Sequence, residues 1–572
     1  MTLSAVRARP RARWLLPQEP DPTVVAQLEE ALKLPPAICR LLAARGYGIP
    51  DDAKAYLRPR LDQLHDPRCL TDLDRACERL VRALRENETI LVHGDYDVDG
   101  ICSTTIMVRT LSVLGGNPVP FIPLRENGYD LTDAGVRAAR DCGATLVVTC
   151  DCGTSAHRPI AELQADGIDV IVTDHHLPGG PLPPAYAVLN PKRPGCTSPD
   201  KDLAAVGVAF KLALALTRAV GGNENAVFAM LDLVALATIA DVAPLRGENR
   251  IFVRYGLKLL NDPQRPGIRA MIRAAGLEGK SLTAGRVGFI LAPRLNAAGR
   301  LESALRGVEL MLATSDQAAN PIARELEELN VRRQEYDRAM LDRARELMQQ
   351  LDLSSTYGVV LAEQGWHAGV IGIVASRIVE EFGRPAVLIA LDGAEGKGSG
   401  RSISAFDLHS GLAECRDLLI RFGGHRAAAG VTIAADRVAA FAARFNEVAA
   451  ARLTEDDLVP ELRIDLEIPF DEATDELESL LRHIEPCGVG NPSPLLVSRG
   501  VTVAAPPRTV GKDGLKVLLH ADGRELVALG WGMASRAREL DVGSSIDVAY
   551  RLERDEYQGV SRVQARLADF RG

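Results

Sequence analysis

Long apolar runs and aromatic side chains are both scarce in this chain of 572 residues. No stretch approaches the roughly 18 consecutive apolar residues that a membrane-spanning helix requires. The basic start of the chain, residues 1–13, is not followed by the apolar segment of a secretory signal. We therefore expect a cytoplasmic protein with no membrane partner. Aromatic residues make up only 4% of the chain, which argues against a site built mainly from stacked rings.

Close cysteine pairs and phosphate-binding glycine loops are also missing. The ten cysteines are scattered. Cys150 and Cys152 flank Asp151, but no second pair supplies the other half of a zinc site. This cysteine usage is typical of a reducing compartment. No Walker-type loop occurs, which excludes nucleotide hydrolysis of the P-loop kind.

What remains is the composition of a large globular protein. Hydrophobic residues make up 47% of the chain and charged residues 25%, both ordinary values. The length predicts several domains. The formal net charge of −9 argues against a protein whose whole surface binds nucleic acid, but it leaves room for a local basic channel.

Residues 89–92 form an apolar run that predicts a buried strand, and a short stretch rich in charged and ionisable residues follows it directly. Within seven residues it places one imidazole and three carboxylates: His93, Asp95, Asp97 and Asp99. Carboxylates this close need a positive partner, and a divalent metal is the simplest one. The alternatives are an Asp-rich surface loop and a calcium loop. A calcium loop needs a bidentate Glu about twelve residues from its start, but the helix-like run 101–108 follows instead.

Residues 85–245 alternate apolar, strand-like runs with helical stretches, which predicts a parallel sheet covered on both faces. Ligands of such sheets bind beyond the carboxyl ends of the strands. Three more apolar runs end in acids or imidazoles: Asp151, then Asp174, His175 and His176, then Asp241. The run before Asp241, residues 233–240, looks more helical than strand-like. A helix cap is the alternative for each acid alone, but four together would need four coincidences.

The remaining chain predicts further domains. Residues 323–351 predict a helix of about 40 Å that connects two of them. A second α/β unit follows and contains two glycine-rich segments, 398–402 and 423–430. The first is interpreted as a loop that approaches an anion, with a hairpin turn as the alternative. Short strand-like runs beyond residue 458 predict a small barrel.

The four acidic motifs, residues 93–100, 148–153, 172–176 and 239–245, resemble those of the DHH phosphoesterase superfamily. The glycine-rich segments resemble its DHH-associated domain, and residues 488–492 resemble the lead-in to an oligonucleotide-binding (OB) barrel. The resemblance implies an α/β fold with a parallel-sheet DHH catalytic domain, a long connecting helix, a second α/β DHH-associated domain and a C-terminal OB-like β-barrel. The expected domain boundaries are 1–80 for an N-terminal helical cap, 81–250 for the DHH catalytic domain and 251–353 for the helical connector. The DHH-associated domain is expected at 354–455 and the OB-like domain at 456–572.

The resemblance also implies a site for two ions, Mn²⁺ or Mg²⁺. His93, Asp97 and Asp151 would hold one, and Asp99, Asp151, His175 and Asp241 the other. Asp95 and Asp174 would orient these ligands, and His176 would contact the scissile phosphate. A mixed nitrogen and oxygen ligand set suits Mn²⁺ better than Mg²⁺.

For substrate binding, the resemblance implies a 5′-phosphate pocket formed by Ser399 and Arg401, with Arg300 opposite. Arg125 and Tyr129 would engage the terminal nucleotides. Each of these five residues has an ordinary surface position as its alternative. In the C-terminal region, Trp531 and Tyr557 are candidate stacking platforms, although core packing is the expectation for both.

The domain order resembles the branch of the superfamily that degrades single-stranded DNA from its 5′ end. The implied activity is a 5′→3′ exonuclease that releases 5′-mononucleotides in DNA repair and recombination. The implied partners are single-stranded DNA, a single-strand-binding protein and a helicase, and the implied state is a monomer. The alternatives are a DHH phosphodiesterase for short oligonucleotides or cyclic dinucleotides, and a non-catalytic DHH scaffold. The length of the chain and the predicted barrel argue against the phosphodiesterase, because a dinucleotide needs no extended binding track. The presence of every candidate metal ligand argues against the non-catalytic scaffold.

Overall fold

The structure, a computed structural model, describes residues 11–557 and 560–572, and the side chains of residues 556, 557 and 560 lie outside this description. The expectation for Tyr557 therefore concerns a side chain outside the described residues. The described chain divides into two compact units. One contains residues 65–459, and the other contains residues 11–64 together with 460–572. Residues 11–64, expected within an N-terminal cap, thus share a unit with the C-terminal domain.

The first elements of the smaller unit are one strand and three helices. They are β1 (Arg13–Leu15), α1 (Pro22–Leu32), α2 (Pro36–Ala44) and α3 (Pro50–Leu57). Each helix begins with proline, whose fixed φ suits the first helical position and whose missing N–H is not needed there. The strand pairs in parallel with residues 461–463.

The larger unit begins with α4 (Leu73–Arg85) and a five-stranded sheet. Its strands and helices alternate as β2 (Thr89–Gly94), α5 (Val98–Val113), β3 (Asn117–Phe121), α6 (Asp133–Asp141), β4 (Leu146–Cys150), α7 (His157–Ala165), β5 (Asp169–Thr173) and β6 (Ala187–Leu189). The strands lie in the order β3-β2-β4-β5-β6, and all pairs are parallel. Strand β4 is buried along its whole length, as expected where helices cover both faces. The predicted parallel sheet is confirmed.

A helical region follows the sheet. Its helices are α8 (Ala205–Ala219), α9 (Glu224–Phe228), α10 (Leu231–Ala240), α11 (Gly247–Asn261), α12 (Pro266–Ala274), α13 (Ala284–Arg286), α14 (Ala292–Leu301), α15 (Leu305–Leu312) and α16 (Asp316–Gln349). A π-helical turn, Val287–Leu291, joins α13 to α14. The connecting helix α16 has 34 residues and starts before the predicted stretch, because it runs through Pro321. The hydroxyl of Ser315 caps its N-terminus.

The second α/β domain completes the larger unit. It contains β7 (Val359–Gln364), α17 (Ile371–Phe382), β8 (Ala386–Asp392), β9 (Glu395–Arg401), α18 (Leu408–Ala413), β10 (Arg421–Gly424), β11 (Ala428–Ala434) and α19 (Val438–Arg452), with strand order β10-β11-β9-β8-β7. The predicted loop at residues 398–402 is wrong, because most of this segment is strand β9, paired with β8 and β11. A Cβ atom at Gly398 would lie 2.5 Å from Val431 Cγ2. Glycine therefore lets neighbouring side chains pack against the strand.

The C-terminal domain is mostly β-structure. It contains β12 (Glu461–Arg463), β13 (Leu466–Glu467), α20 (Asp475–Leu481), β14 (Leu496–Val503), β15 (Arg508–Val510), β16 (Gly514–Ala521), β17 (Arg524–Gly530), β18 (Ser545–Tyr557) and β19 (Val560–Arg571). The last seven strands form one sheet, which an additional pairing of β14 with β16 partly closes. A complete barrel stays a prediction. The expectation that Trp531 packs in the core is wrong, because 57% of this residue is exposed.

In the ranges that the structure describes, no helix combines the length and the apolar character needed to cross a bilayer.

Candidate active site

The loop between β2 and α5 carries the first candidate ligands. His93 and Asp95 are buried at the end of β2 and just beyond it. Asp97 caps α5, because its Oδ1 accepts hydrogen bonds from the backbone N–H groups of Asp99 (2.9 Å) and Gly100 (3.1 Å). A Cβ atom at Gly100 would lie 2.3 Å from the Asp95 carbonyl oxygen. This close approach requires glycine, and it gathers the carboxylates at the strand end.

Asp99 lies in the first turn of α5 and faces the start of α8. Its carboxylate oxygens accept 2.8 Å hydrogen bonds from the backbone N–H groups of Ala205 and Val206, which are among the N–H groups that a helix start leaves unpaired. Burial raises the pKa of Asp99, and the charges of Asp241 and Asp97 raise it further. A nearby cation would favour the charged form of this carboxylate.

Asp151 and His175 follow adjacent strands and meet at the carboxyl edge of the sheet. Asp151 has a φ of +66°, in the left-handed region where a residue other than glycine is strained. The His175 Nε2 lies 3.3 Å from Asp151 Oδ1 and 3.8 Å from Asp241 Oδ2. The rule that ligands gather beyond strand ends therefore holds for Asp151 and His175.

Asp241 reaches the same place from a helix. The apolar run before it forms α10, and Asp241 is the C-terminal cap of this helix. The helical character predicted for the run is confirmed. Residues 231–238 are all buried, so the helix presents no polar face that would mark it clearly in the sequence. Val242, directly after Asp241, also has a positive φ of 62°.

The candidate ligands form three overlapping groups whose ligand atoms lie within 4.8 Å of one another. The groups are Asp99, His175 and Asp241; Asp95, Asp97 and Asp151; and Asp151, His175 and His176. Among the described residues, His93 belongs to none of these groups. Four buried ligand atoms nevertheless lack a hydrogen-bond partner: His93 Nε2, Asp95 Oδ1, Asp151 Oδ1 and His175 Nε2.

Buried polar atoms rarely lack partners, and each of these four atoms can offer a lone pair to a cation. Two imidazole nitrogens among carboxylate oxygens form a donor set for divalent metal ions. The residues present therefore fit a metal centre at this edge of the sheet.

Burial and mutual repulsion dominate the electrostatics of the cluster. Burial raises the pKa values of Asp95 and Asp151, and neighbouring carboxylates raise them further. For the same reasons the pKa of Asp241 rises to about 7. Burial lowers the pKa of His93 to about 4 and that of His175 to about 3. Both imidazoles are thus neutral at pH 7 and suited to bind metal, and a divalent cation would relieve the repulsion among the carboxylates.

Asp174 and His176 form an ion pair beside the cluster. Asp174 Oδ1 accepts a 2.8 Å hydrogen bond from His176 Nδ1. The Asp174 carboxylate also accepts hydrogen bonds from the backbone N–H groups of Thr154 and His175. Burial alone would lower the pKa of His176 and raise that of Asp174. The pairing outweighs it, because it raises the pKa of His176 to about 9 and holds that of Asp174 below its ordinary value. His176 is therefore a cation at pH 7. The Tyr129 hydroxyl lies 3.0 Å from the His176 ring and donates to the Asp151 carbonyl oxygen at 3.2 Å.

Two further residues, which no sequence motif marked, hold this arrangement. Asn190 follows β6, and its Nδ2 donates a 2.8 Å hydrogen bond to the His176 carbonyl oxygen. Asp130 accepts a 2.6 Å bond from the Gly153 N–H. Asn190 ends a strand of the same sheet, so the rule that located Asp151 would also have located it. Asp130 lies in a loop without a comparable signal.

A second cluster, made of arginine side chains, lies between the two α/β domains of the larger unit. Arg125, Arg300 and Ser399 line a cavity of about 540 Å³ there. The Arg125 guanidinium lies 4.1 Å from the centre of the Tyr96 ring. Arg300 Nη1 donates a 2.7 Å hydrogen bond to the Gly369 carbonyl oxygen. Three of the five predicted substrate-binding residues thus share one cavity.

Arg401 lies next to this cavity, and Tyr129 lies at the metal cluster instead. Arg401 Nη1 donates a 3.0 Å hydrogen bond to Ser399 Oγ. Burial lowers the pKa of Arg300 to about 10, and the positive charges of Arg125 and Arg401 contribute. Arg300 still carries its charge at pH 7. Arg125 and Lys397 line the cavity as well, against two carboxylates, Glu126 and Glu302, so positive charge predominates and the cavity is suited to an anion.

Comparison with known protein families gives three matches. The model described as DHH family, N-terminal domain, matches residues 89–238, the DHHA1 domain matches 355–451, and the RecJ OB domain matches 464–569. The single-stranded-DNA-specific exonuclease RecJ of Dickeya dadantii is 37% identical, over 95% of this chain and 97% of its own length. The Bacillus subtilis protein of the same name is 36% identical, over 98% of this chain and 71% of its own length. The chain belongs to the RecJ family.

Solved RecJ structures share the fold. The crystal structure of RecJ in complex with Mn²⁺ from Thermus thermophilus has a TM-score of 0.84 at 34% identity, and the match covers 98% of this chain and 80% of that chain. A crystal structure of exonuclease RecJ bound to manganese gives a TM-score of 0.61 at 39% identity, over 70% of this chain and 99% of that chain. The predicted fold class, apart from the complete barrel, is confirmed for this RecJ family member. The roles of single residues stay predictions.

Proposed function

We propose that this protein is a two-metal exonuclease, specific for single-stranded DNA, that releases 5′-mononucleotides in the 5′→3′ direction during DNA repair and recombination. The observation that supports the proposal is the cluster of carboxylates and imidazoles at the sheet edge, where four buried polar atoms lack a hydrogen-bond partner. Relatives that match nearly the whole chain are named single-stranded-DNA-specific exonucleases, which supports the choice of substrate.

The proposed ligands divide into two sets. His93, Asp97 and Asp151 would hold one Mn²⁺ or Mg²⁺, and Asp99, Asp151, His175 and Asp241 the other. Two such ions, when bound, lower the pKa of a water molecule and neutralise charge on the phosphate. The two imidazoles favour Mn²⁺ over Mg²⁺, which prefers oxygen ligands. Asp95 would orient its neighbours, although its carboxylate also lies in one group with Asp97 and Asp151.

His176 is proposed to supply positive charge at the scissile phosphate. Asp174 holds the imidazolium through Nδ1 at 2.8 Å and keeps it protonated, with a pKa of about 9. The other ring N–H, now beside the Tyr129 hydroxyl, would donate to a phosphate oxygen. A donor that is fixed before the reaction stabilises the developing charge without reorganisation.

The arginine cavity is proposed to set the polarity of cleavage. A Cβ atom at Gly299 would lie 2.0 Å from the carbonyl oxygen of Tyr96. The end of α14 is therefore in close contact with the loop between β2 and α5, which carries Asp95 and Asp97. The guanidinium of Arg300, the residue after Gly299, interacts electrostatically with Asp97. A 5′-phosphate bound by Arg300, Ser399 and Arg401 would place the first linkage at the metal centre.

The requirement for single strands implies a source of single strands. We therefore propose that a helicase and a single-strand-binding protein act with this enzyme, which itself works as a monomer. The cysteines that the structure describes form no disulfide bond, as is usual in a reducing compartment, and the proposed location is the cytoplasm. Degradation of a blunt duplex only after addition of a helicase and ATP, together with a monomeric mass in light scattering, would support this arrangement.

The activity is tested with a 5′-phosphorylated single strand tens of nucleotides long, labelled at its 3′ end, with and without Mn²⁺. We expect Mn²⁺-dependent release of mononucleotides from the 5′ end, and no degradation of a blunt duplex. A dinucleotide serves as the competing substrate. Preference for the dinucleotide would favour the alternative phosphodiesterase, and shortening from the 3′ end would contradict the proposed polarity.

A further inference from the structure

Cys152 is a buried thiol that the proposed reaction does not use. Its Sγ lies 3.5 Å from His93 Nδ1 and 3.9 Å from the His93 carbonyl oxygen. Only 1% of the residue is exposed. Cys150, two residues earlier, is buried as well, but its thiol neighbours the hydroxyl groups of Thr104 and Thr173. The two thiols therefore have different hydrogen-bond neighbours, and that of Cys152 is the candidate metal ligand His93.

The His93 ring is enclosed on several sides. The Phe121 ring packs beside it with ring centroids 5.3 Å apart. Gly135 of α6 also borders the ring, because a Cβ atom built there would lie 2.7 Å from both Cδ2 and Nε2 of His93. With these neighbours fixing the plane of the ring, the proton on the imidazole decides which nitrogen can bind a metal.

The contacts of His93 distinguish its two neutral tautomers. With the proton on Nδ1, the N–H donates to Cys152 Sγ, the thiol donates to the His93 carbonyl oxygen, and Nε2 keeps a lone pair. With the proton on Nε2, a buried N–H would have no acceptor, since Nε2 has no hydrogen-bond partner. Only the first tautomer turns both contacts of Cys152 into hydrogen bonds, because in the second the single thiol proton can go to Nδ1 or to the carbonyl oxygen but not to both. The contacts therefore favour the tautomer with the proton on Nδ1.

We propose that Cys152 is a positioning residue that holds His93 in the tautomer and orientation in which Nε2 binds a metal ion. This inference rests on the proposed function of the metal centre. Metal-binding histidines usually donate their second N–H to a neighbouring acceptor, and loss of that acceptor weakens binding. His175 follows the same pattern, because it hydrogen bonds to the backbone of Leu203. At His93 the Cys152 thiol lies at this position, beside the backbone of His93 itself, with which the ring also interacts.

The loop after β4 explains how the thiol reaches His93. Asp151 adopts its positive φ, and Gly153 follows with a φ of +110°. The Thr149 hydroxyl donates a 2.7 Å hydrogen bond to the Cys152 carbonyl oxygen, and Asp130 accepts the bond from the Gly153 N–H. The backbone is thus held on both sides of Cys152, so one short turn directs Asp151 to the metal centre and Cys152 to His93.

The test uses the full chain freed of metal and three variants, Cys152→Ala, Cys152→Ser and Cys150→Ala. Calorimetric titration with Mn²⁺ measures metal binding without any DNA. We expect Cys152→Ala to weaken one of two Mn²⁺ sites by about 10–100-fold. Cys152→Ser should restore most of the affinity, because a hydroxyl also accepts and donates. Cys150→Ala removes an equally buried thiol and should leave both sites unchanged.

Nitrogen-15 NMR of histidine-labelled, metal-free protein gives a second measurement, with His93→Gln used to assign the signal. The wild-type chain should show His93 protonated on Nδ1, and Cys152→Ala should shift protons towards Nε2. Unchanged Mn²⁺ affinity and tautomer in Cys152→Ala would overturn the proposal, and so would equal weakening by Cys150→Ala. Should the wild-type chain bind no Mn²⁺, the proposed metal-dependent function fails, while the NMR result still decides whether Cys152 sets the tautomer.

Discussion

His175 Nε2 and Asp151 Oδ1 face each other across 3.3 Å at the ends of two adjacent strands, both buried and neither in a hydrogen bond. A shared cation accounts for two such lone-pair atoms at this distance. We expect Asp151→Ala to abolish Mn²⁺-dependent cleavage of single-stranded DNA while the fold persists, because the substitution removes the ligand proposed for both ions. Cleavage assays and circular dichroism measure the two effects. Persistent cleavage by a folded variant would show that Asp151 does not bridge the metals.

The carboxylates of the first loop are expected to differ in importance. Asp97 is proposed as a metal ligand and also caps α5 through Oδ1, whereas Asp95 is proposed to orient its neighbours. We expect Asp97→Asn to lower kcat further than Asp95→Asn, for which the loss should be about 10–100-fold. Single-turnover cleavage at saturating Mn²⁺ compares the two, with thermal unfolding as the check on folding. The opposite order would show that Asp95 is itself a ligand, as its buried, unpartnered Oδ1 would permit.

The sequence located most of the metal centre because a simple topological rule applies to it. Parallel strands end at one edge of a sheet, so residues after β2, β4 and β5 meet there regardless of their separation in sequence. The rule brings Asp151 and His175 together, and it would have found Asn190. It does not cover Asp241, which arrives at the end of a buried helix, nor the contact of Asp99 with α8. Helix packing of this kind leaves no local mark in a single sequence.

Other features depend on contacts between distant segments and could not be predicted. Strands β1 and β12 pair although most of the sequence separates them, and Arg13 lies opposite Glu461. Residues 11–64 therefore belong to one unit with the C-terminal domain. The glycine-rich segment at 398–402 suggested a loop, but its glycines serve close packing within a sheet. Glycine marks both situations in a sequence, and only the paired strands distinguish them.

Arg300 is expected to act on the 5′ end of the substrate and not on the chemical step. Its guanidinium lines the cavity with Arg125 and Ser399, and charged hydrogen bonds of this kind contribute about 1.5–3 kcal/mol. We therefore expect Arg300→Ala to raise KM for a 5′-phosphorylated strand by about 10–100-fold, with little change for a strand with a 5′-hydroxyl. Steady-state kinetics on the two substrates measures the difference. An equal loss on both would place Arg300 outside the 5′-phosphate pocket.

Gly135 tests the space around His93. An alanine Cβ there would lie 2.7 Å from the His93 ring and 2.6 Å from Leu131 Cδ1, so the ring or α6 must move. Alanine in a helix would otherwise gain up to about 1 kcal/mol over glycine. We expect Gly135→Ala to weaken Mn²⁺ binding and to lower the melting temperature. Gly285→Ala is the matched control, since its Cβ would meet only Thr283 Oγ1 at 3.8 Å; calorimetry should find its Mn²⁺ affinity unchanged. Full Mn²⁺ affinity in Gly135→Ala would show that the His93 position is not critical.

Trp531 is the exposed aromatic residue of the C-terminal domain that we expect to contact DNA. Its ring lies against Gly511 of the β15–β16 turn and Gly514 at the start of β16, since Cβ atoms built at these positions would approach it to 3.8 and 3.1 Å. With 57% of the residue exposed, the ring contributes little to the core but presents a face on which a base can stack. Stacking of one base is worth about 1–3 kcal/mol. We therefore expect Trp531→Ala to weaken binding of a long single strand by about 10–100-fold while thermal stability stays nearly unchanged. Trp531→Phe keeps an aromatic face and should retain most of the affinity in fluorescence anisotropy. If both variants bind as tightly as the wild-type chain, the DNA path does not cross this face of the domain.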